Sequence, residues 1–361
     1  MFETSKQVIA SLPKCYAICL LESGGEQSFL VATEKAGECR RFDARGNYLE
    51  TIWSEPGGVM TMVQVPGGNG AFLSTRRFFS PNDSAAASLV LAEPITSEGA
   101  PVRDLTEPHG WRVTTLCPLP FVHRFDIVSS GGRHYLIACT LKSGHNYKED
   151  WTQPGKILVR ELPSDFSRFD AEAGNALTFE TLLDGLTKNH GYGRFVRDGQ
   201  TVSLVASENG LYRVTPPTGE ADWQVEKLLA KACSDVRALD IDGDGKVEYM
   251  LFSPFHGAEL SFYREGDSGL EEIYRHEQPL PFLHALWGGE LGGVPTFLAG
   301  YRQGERDLLA VTWDAAGETF AFQRLDHDRG PTNVQVYTAE GQEYIIAANR
   351  ETDEVALYAL H

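Results

Sequence analysis

The sequence predicts an all-β protein, a seven-bladed β-propeller with four-stranded blades. Three observations carry this: almost no helical periodicity, short apolar runs closed by glycine-containing turns, and one unit that recurs seven times. Each unit reads as an apolar strand, a polar turn, a second strand ending in small residues, a polar corner, and a third strand alternating apolar with polar. The clearest copies are Val236–Ile241 with Glu248–Ser253, His284–Trp287 with Thr296–Arg302, and Asn333–Tyr337 with Glu343–Arg350. Four more follow: Arg124–Val128 with Tyr135–Thr140, Gly193–Val196 with Ser203–Glu208, Met60–Val65 with Ala71–Arg76, and Tyr16–Leu21 with Phe29–Glu34. A period near 45 residues suits radial repetition, in which each sheet packs on its neighbours and only short edges remain. Sandwiches rarely repeat so long a unit, and β-helix coils are much shorter. Residues 1–361 therefore read as a single propeller domain.

Two stretches break the rhythm. Residues 80–112 read as a long loop plus an outer strand, and residues 142–156 as an insertion between the second and third strands of one blade. Long polar loops in an economical fold are usually functional or disordered.

Charge narrows the partners. With 32 basic against 50 acidic side chains, a formal charge of -18 repels phosphate backbones and anionic lipid, so a nucleic-acid partner is not expected. The first residues lack a basic start and a continuous apolar core, and no apolar run reaches the ~20 residues that span a bilayer, so neither a signal peptide nor a membrane partner is expected. The six cysteines form no C-x-x-C pair and several lie in strand-like runs; they read as buried free thiols in a reducing cytoplasm.

Asp240-Ile-Asp242-Gly-Asp244-Gly-Lys-Val-Glu248 joins two strands of the fifth unit. Alternating Asp and Gly put several oxygens on a tightly curved backbone, as calcium requires, and Asp240, Asp242, Asp244 and Glu248 are its candidate ligands. The same residues can instead cap the turn by bonding its backbone.

In a propeller the innermost strands line the axis, and their starts share one end with the corners that follow the second strands. Strand starts offer His123, His190 with Tyr192, Arg237 and His284; corners offer Arg76, Arg77, Lys142, His145, Glu208, His256, Tyr301, Arg302, Asn349 and Arg350. An acidic chain thus gathers His, Arg and Lys at equivalent sites. Two uses compete. His123, His190, His256 and His284 suit a divalent transition metal, zinc or manganese. Alternatively the arginines bind an anionic group, with a histidine and a tyrosine moving the proton. A histidine at a strand end can also be an ordinary hydrogen-bonded residue, and an arginine a solvated rim.

The phrase Phe252-Ser-Pro-Phe-His-Gly, the Asp240–Glu248 turn, and Ala138–Lys142 leading to Asp150-Trp-Thr-Gln-Pro-Gly-Lys resemble the FG-GAP (VCBS-type) propellers related to aldos-2-ulose dehydratase. The resemblance spans most of residues 120–350 in pattern. It implies a carbohydrate-active lyase or dehydratase, carrying out metal-assisted β-elimination on a sugar or uronide at the axial pocket. His145 or His190 would then be the base, Tyr192 the acid, and Arg302 the anion anchor, while Arg76, Arg77, Lys142, Glu208, Tyr301, Asn349 and Arg350 would contact substrate. The competing expectation is a non-catalytic propeller binding a sugar or a protein, since the fold alone does not imply an enzyme.

Overall fold

The apolar runs form antiparallel strands grouped in seven four-stranded sheets, described by a computed structural model for every residue except Ala36, Asp198 and Ser268. Blade 1 runs outward from the axis as Cys15–Ser23, Glu26–Thr33, Cys39–Asp43 and Tyr48–Trp53. The innermost strands of blades 2 to 7 are Met62–Gln64, Val122–Ser130, Gly191–Arg197, Asp235–Leu239, Leu283–Leu291 and Pro331–Ala339. All seven sequence copies fall on the first two strands of successive blades. The ring closes by chain exchange: Thr4–Ser11 is the outermost strand of blade 7, paired from Thr4↔Leu360 to Ser11↔Glu354. The first and last segments of the chain are thereby locked into one sheet.

Tight hairpins join the first and second strands. Gly24-Gly25, Gly131-Gly132, Glu340-Gly341 and Gly292-Gly293 all take positive φ at both positions, the two-residue turn whose twist matches the flanking strands. Second strands are apolar on both faces, and Glu248–Ser253 is buried throughout; outer strands such as Gln224–Leu229 are mostly exposed.

The apolar core lies between blades, not on the axis. Phe262 of blade 5 stacks on Phe320 of blade 6 at 4.0 Å, and Phe29 of blade 1 meets Tyr337 of blade 7 at 5.8 Å. Among the described residues no helix is long and apolar enough to cross a membrane.

Two loop expectations change. Residues 80–112 contain a full third strand, Ser88–Ile95, between Phe72–Arg76 and Gly110–Pro118. Its unbroken apolar run Leu89–Ala92 is buried on both faces, and the prolines around it hid the pattern. Residues 142–156 do connect the second and third strands of blade 3, but a second long connection, residues 162–179, precedes that blade's outer strand.

Truncating Phe262 to alanine should cost about 3–5 kcal/mol in denaturant titrations, because stacked neighbours on two blades cannot both collapse into the space. All six cysteines are free and buried, and burial pushes Cys15, Cys19, Cys117, Cys139 and Cys233 up to about 12. A disulfide-exchange reagent at pH 8 should leave the native thiols unmodified over minutes and titrate all six after denaturation.

Candidate functional site

Neighbouring blades do not pair through their innermost strands, so those strands present unpaired backbone groups to the axis. Side chains fill the need. Asn333 Nδ2 donates to Tyr16 O (2.8 Å), Thr61 Oγ1 to His123 O (3.0 Å), Arg124 Nη1 to Met60 O (3.0 Å), and Arg237 Nη1 to Tyr192 O (2.7 Å). Each of these bonds ties one blade to the next.

The histidines belong to the same belt. Nδ1 of His284 lies 2.8 Å from Thr332 O and Nδ1 of His123 lies 3.2 Å from His190 O. A carbonyl only accepts, so both Nδ1 atoms carry the proton and both Nε2 atoms present a lone pair. His190 Nδ1 lies 2.8 Å from Asp235 Oδ2, which also accepts from Ser234 Oγ at 2.9 Å. His190 Nε2 is shut off from solvent with no hydrogen-bond partner.

A local backbone device aims these side chains. Pairing between first and second strands slips at Cys15/Ala17, Val122/Arg124, Leu283/Ala285 and Pro331/Asn333, so Tyr16, His123, His284 and Thr332 are each the extra residue of a β-bulge. A bulge re-aims a side chain that regular pleating would send between blades. In blade 4 a glycine does the work: a Cβ on Gly191 would stand 2.2 Å from the Ser234 carbonyl oxygen, so only glycine lets His190 reach Asp235.

The four histidines meet at one end of the axis. Ring centroids lie 4.2 Å apart for His123–His190, 4.9 Å for His190–His256, 5.5 Å for His190–His284 and 5.7 Å for His256–His284. One ring nitrogen each of His190, His256 and His284 lies within 4.8 Å of the others; His123 is outside that set. Its Nε2 faces the Tyr16 hydroxyl at 3.3 Å, which also reaches His284 Nε2 at 2.9 Å. His256, on the corner after the second strand of blade 5, is held between the rings of Phe255 (3.9 Å) and Phe282 (4.3 Å). Burial, then the nearby imidazoles and arginines, pushes His123, His256 and His284 well below the ordinary 6.5, so these three are neutral near pH 7. Burial lifts the Tyr16 phenol to about 12.

Below the histidines, an axial cavity of about 590 Å³ follows the innermost strands toward their hairpin ends. Arg124, Asp126, Tyr192, Arg194, Arg237, Asp235 and Trp287 are among its walls. Asp235 also holds His190, which joins the cavity to the cluster.

The corner residues do not converge as expected. Arg302 lies over Phe282 but its Nε and Nη2 both go to Glu351 Oε1 (2.9 and 2.7 Å); Arg350 bonds Glu351 and Glu34. Rim carboxylates neutralise both, so neither is a free anion anchor. Arg76 reaches the Glu55 carbonyl beside Trp53, and Arg77 is exposed. Tyr301 is 4% exposed with its hydroxyl on Asp307, and Asn349 is buried on Glu354 and Tyr358, so both are internal ties of their blades. Glu208 pairs with Lys188. His145 packs on Phe121, its Nδ1 buried and unpartnered, and makes no contact with the other histidines. Tyr192 lines the cavity, yet its hydroxyl bonds Ser203 at 2.8 Å and burial beside Asp126 raises its pKa well above 10, so it is not placed as an acid beside His190.

At the Asp-rich turn, Asp240, Asp242 and Asp244 lie together, but Glu248 is not of that group. Arg264 takes Glu248 at 2.6 Å and Asp242 at 2.5 Å, and Asp240 accepts from Gly243 and Gly245. The turn thus has its own caps and takes its cation from the neighbouring strand Glu259–Gly266, which corrects Glu248 as a calcium ligand.

Tyr16, Arg124 and Asp235 were missed. Tyr16 follows Lys14-Cys15 as His123 follows Phe121-Val122 and His284 follows Phe282-Leu283, so aligning strand starts residue by residue exposes it.

No protein-family sequence profile matches the chain, and no curated protein matches it. Among solved structures it is similar to a protein of Bacteroides fragilis provisionally named a 6-phosphogluconolactonase: 13% identity, 92% of this chain and 90% of that one, TM-score 0.56. A protein of Bacteroides uniformis with the same provisional name is 13% identical over 88% of this chain and 86% of its own, TM-score 0.54. Fold and axis together define the class: a seven-bladed propeller with a histidine cluster at one end of a polar axial cavity.

Lys142 offers a pH test. It is 0% exposed, with Nζ on Asn82 Oδ1 (2.7 Å) and Asp150 O (3.1 Å) and 4.3 Å from the Trp151 ring. Burial lowers its pKa from 10.5, so between the folded value and 10.5 the unfolded chain holds more protons and stability at this position rises with pH. Between pH 7 and 10, wild type should gain stability relative to Lys142→Met in urea titrations; a constant gap contradicts the assignment.

Proposed function

We propose that this protein is a carbohydrate-active enzyme of the carbon–oxygen lyase type. It acts on a sugar or uronide at the propeller axis, with zinc or manganese held by His190, His256 and His284. The observation that carries this is the bare Nε2 of His190, buried beside His256 and His284, with Nδ1 of His190 and of His284 tied back to the scaffold. A metal-ligating histidine characteristically donates its second N–H to a carboxylate or carbonyl, as His190 does to Asp235 and His284 to Thr332. The donor set fits: three imidazole nitrogens suit a borderline divalent ion and leave a coordination position for a ligand. The Tyr16 hydroxyl, bonded to His284 Nε2, has a second acceptor in His123 Nε2 and can turn to it when His284 ligates.

When bound, the metal would stabilise the negative charge that develops on an enolate-like oxygen as a C–H bond next to a carbonyl breaks. The chain's own residues orient and shield the site: Asp235 fixes the His190 tautomer, the rings of Phe255, Phe282 and Phe78 keep water from the cluster's outer side, and the axial cavity would receive the substrate. The provisional lactonase names of the two similar structures fit a sugar-related ligand, as does the FG-GAP-like pattern of residues 120–350.

One observation favours a second reading, a sugar-binding propeller without catalysis. His145 and Tyr192, the expected base and acid, are held away from the cluster by Phe121 and Ser203.

Metal analysis of the purified protein decides the first point. About one zinc or manganese per chain is expected, lost in His284→Ala, with Asp235→Asn weakening affinity roughly 10–100-fold. A metal-loaded protein that produces no unsaturated product from any uronide or keto-sugar supports the binding reading; absence of stoichiometric metal removes the metal-assisted one.

A further inference from the structure

The geometry points to a binding site in the axial cavity for a small polyol that bears an oxyanion, gripped by Arg124 and Arg237. This rests on the reading of the axis as the functional site, and it assigns the anion to different arginines from those expected at the corners.

The protein is acidic, with formal charge -18, and most of its arginines lie within ion-pair distance of a carboxylate. Arg124 and Arg237 do not, among the described residues. Each gives only Nη1 to backbone carbonyls, Met60 O for Arg124 and Tyr192 O and Val236 O for Arg237, leaving Nε and Nη2 of both without a hydrogen bond. Both line the cavity. A guanidinium largely removed from water and without a carboxylate at ion-pair distance is costly, and part of the cost is recovered when an oxyanion arrives. Burial lowers Arg237 to about 10, which leaves it charged at neutral pH.

The acidic walls are already engaged: Asp126 with Arg194 Nη1 at 3.2 Å, and Asp235 with His190. The backbone makes room for the grip at Gly193, where a Cβ would stand 3.0 Å from Arg237 Nη1. A volume of about 590 Å³ admits a mono- or disaccharide, and Trp287 on the wall offers an aromatic surface of the kind on which sugar C–H faces stack. An oxyanion on Arg124 and Arg237 would sit beside the Asp235–His190 link, which puts the attached carbons at the mouth of the histidine cluster.

The experiment is calorimetric titration of the full chain at low ionic strength with D-glucuronate, D-glucose 6-phosphate and neutral D-glucose, with and without chelator. At least one anionic sugar should bind ten-fold or more tighter than glucose. Arg237→Gln should erase that preference, and Arg237→Lys should retain part of it. The two anions distinguish carboxylate from phosphate as the preferred group. Equal binding of all three sugars by wild type, or no binding of either anion, overturns the inference even if the glutamine variant fails to fold. Retention of the anionic preference by a folded Arg237→Gln and by a folded Arg124→Gln also overturns it. Chelated protein that still prefers the anion through Arg237 supports this site while counting against the metal; protein with stoichiometric metal and no anionic preference does the reverse.

Discussion

The structure depends on a problem common to every sheet that ends at an axis: the innermost strand has a hydrogen-bonding edge and no neighbour for it. Here the neighbour is replaced by side chains. Asn333, Thr61, Arg124, Arg237, His123 and His284 reach across to carbonyls of adjacent blades, at 2.7 to 3.2 Å. For an asparagine or a threonine the story ends there. An imidazole has a second nitrogen, and tying Nδ1 to the scaffold leaves Nε2 facing inward as a lone pair. One requirement of folding therefore also produces a chemically available site.

That division explains why the axis is polar while the core is not. Apolar stabilisation is placed between blades, in contacts such as Phe262 on Phe320, so the axis is free to carry side chains that contribute little hydrophobic energy. The result is a graded channel. Aromatic rings close one end over neutral histidines, and below them two carboxylate-free guanidiniums face the cavity. Imidazoles and guanidiniums without ion-pair partners lie side by side in a chain whose overall charge is strongly negative.

The ring was legible because its physics is local. A second strand buried on both faces must be continuously apolar, and Phe297–Ala299 or Ile345–Ala348 announce this without any knowledge of neighbours. The convergence of His123, His190, His256 and His284 followed from the same repeat, since equivalent positions in a ring face one centre. The corner residues were misjudged because occupying the correct end of the axis does not decide where a long side chain goes: Arg302 and Arg350 turn to Glu351 and Glu34, contacts formed by residues far apart in the sequence. The bulges at Tyr16, His123, His284 and Thr332 had no sequence mark at all, because an extra residue becomes visible only against its paired strand.

The chemistry available at the axis depends on which nitrogen of each histidine carries the proton. Long-range proton–nitrogen correlation NMR on histidine-labelled protein near pH 7, with assignment by single substitutions, reads this directly. His123, His190 and His284 should each show the Nδ1–H form with an unprotonated Nε2. Finding Nε2–H on His190 and His284 would mean that the lone pairs point into the scaffold, and the axis would then be a structural seam with no site for a ligand.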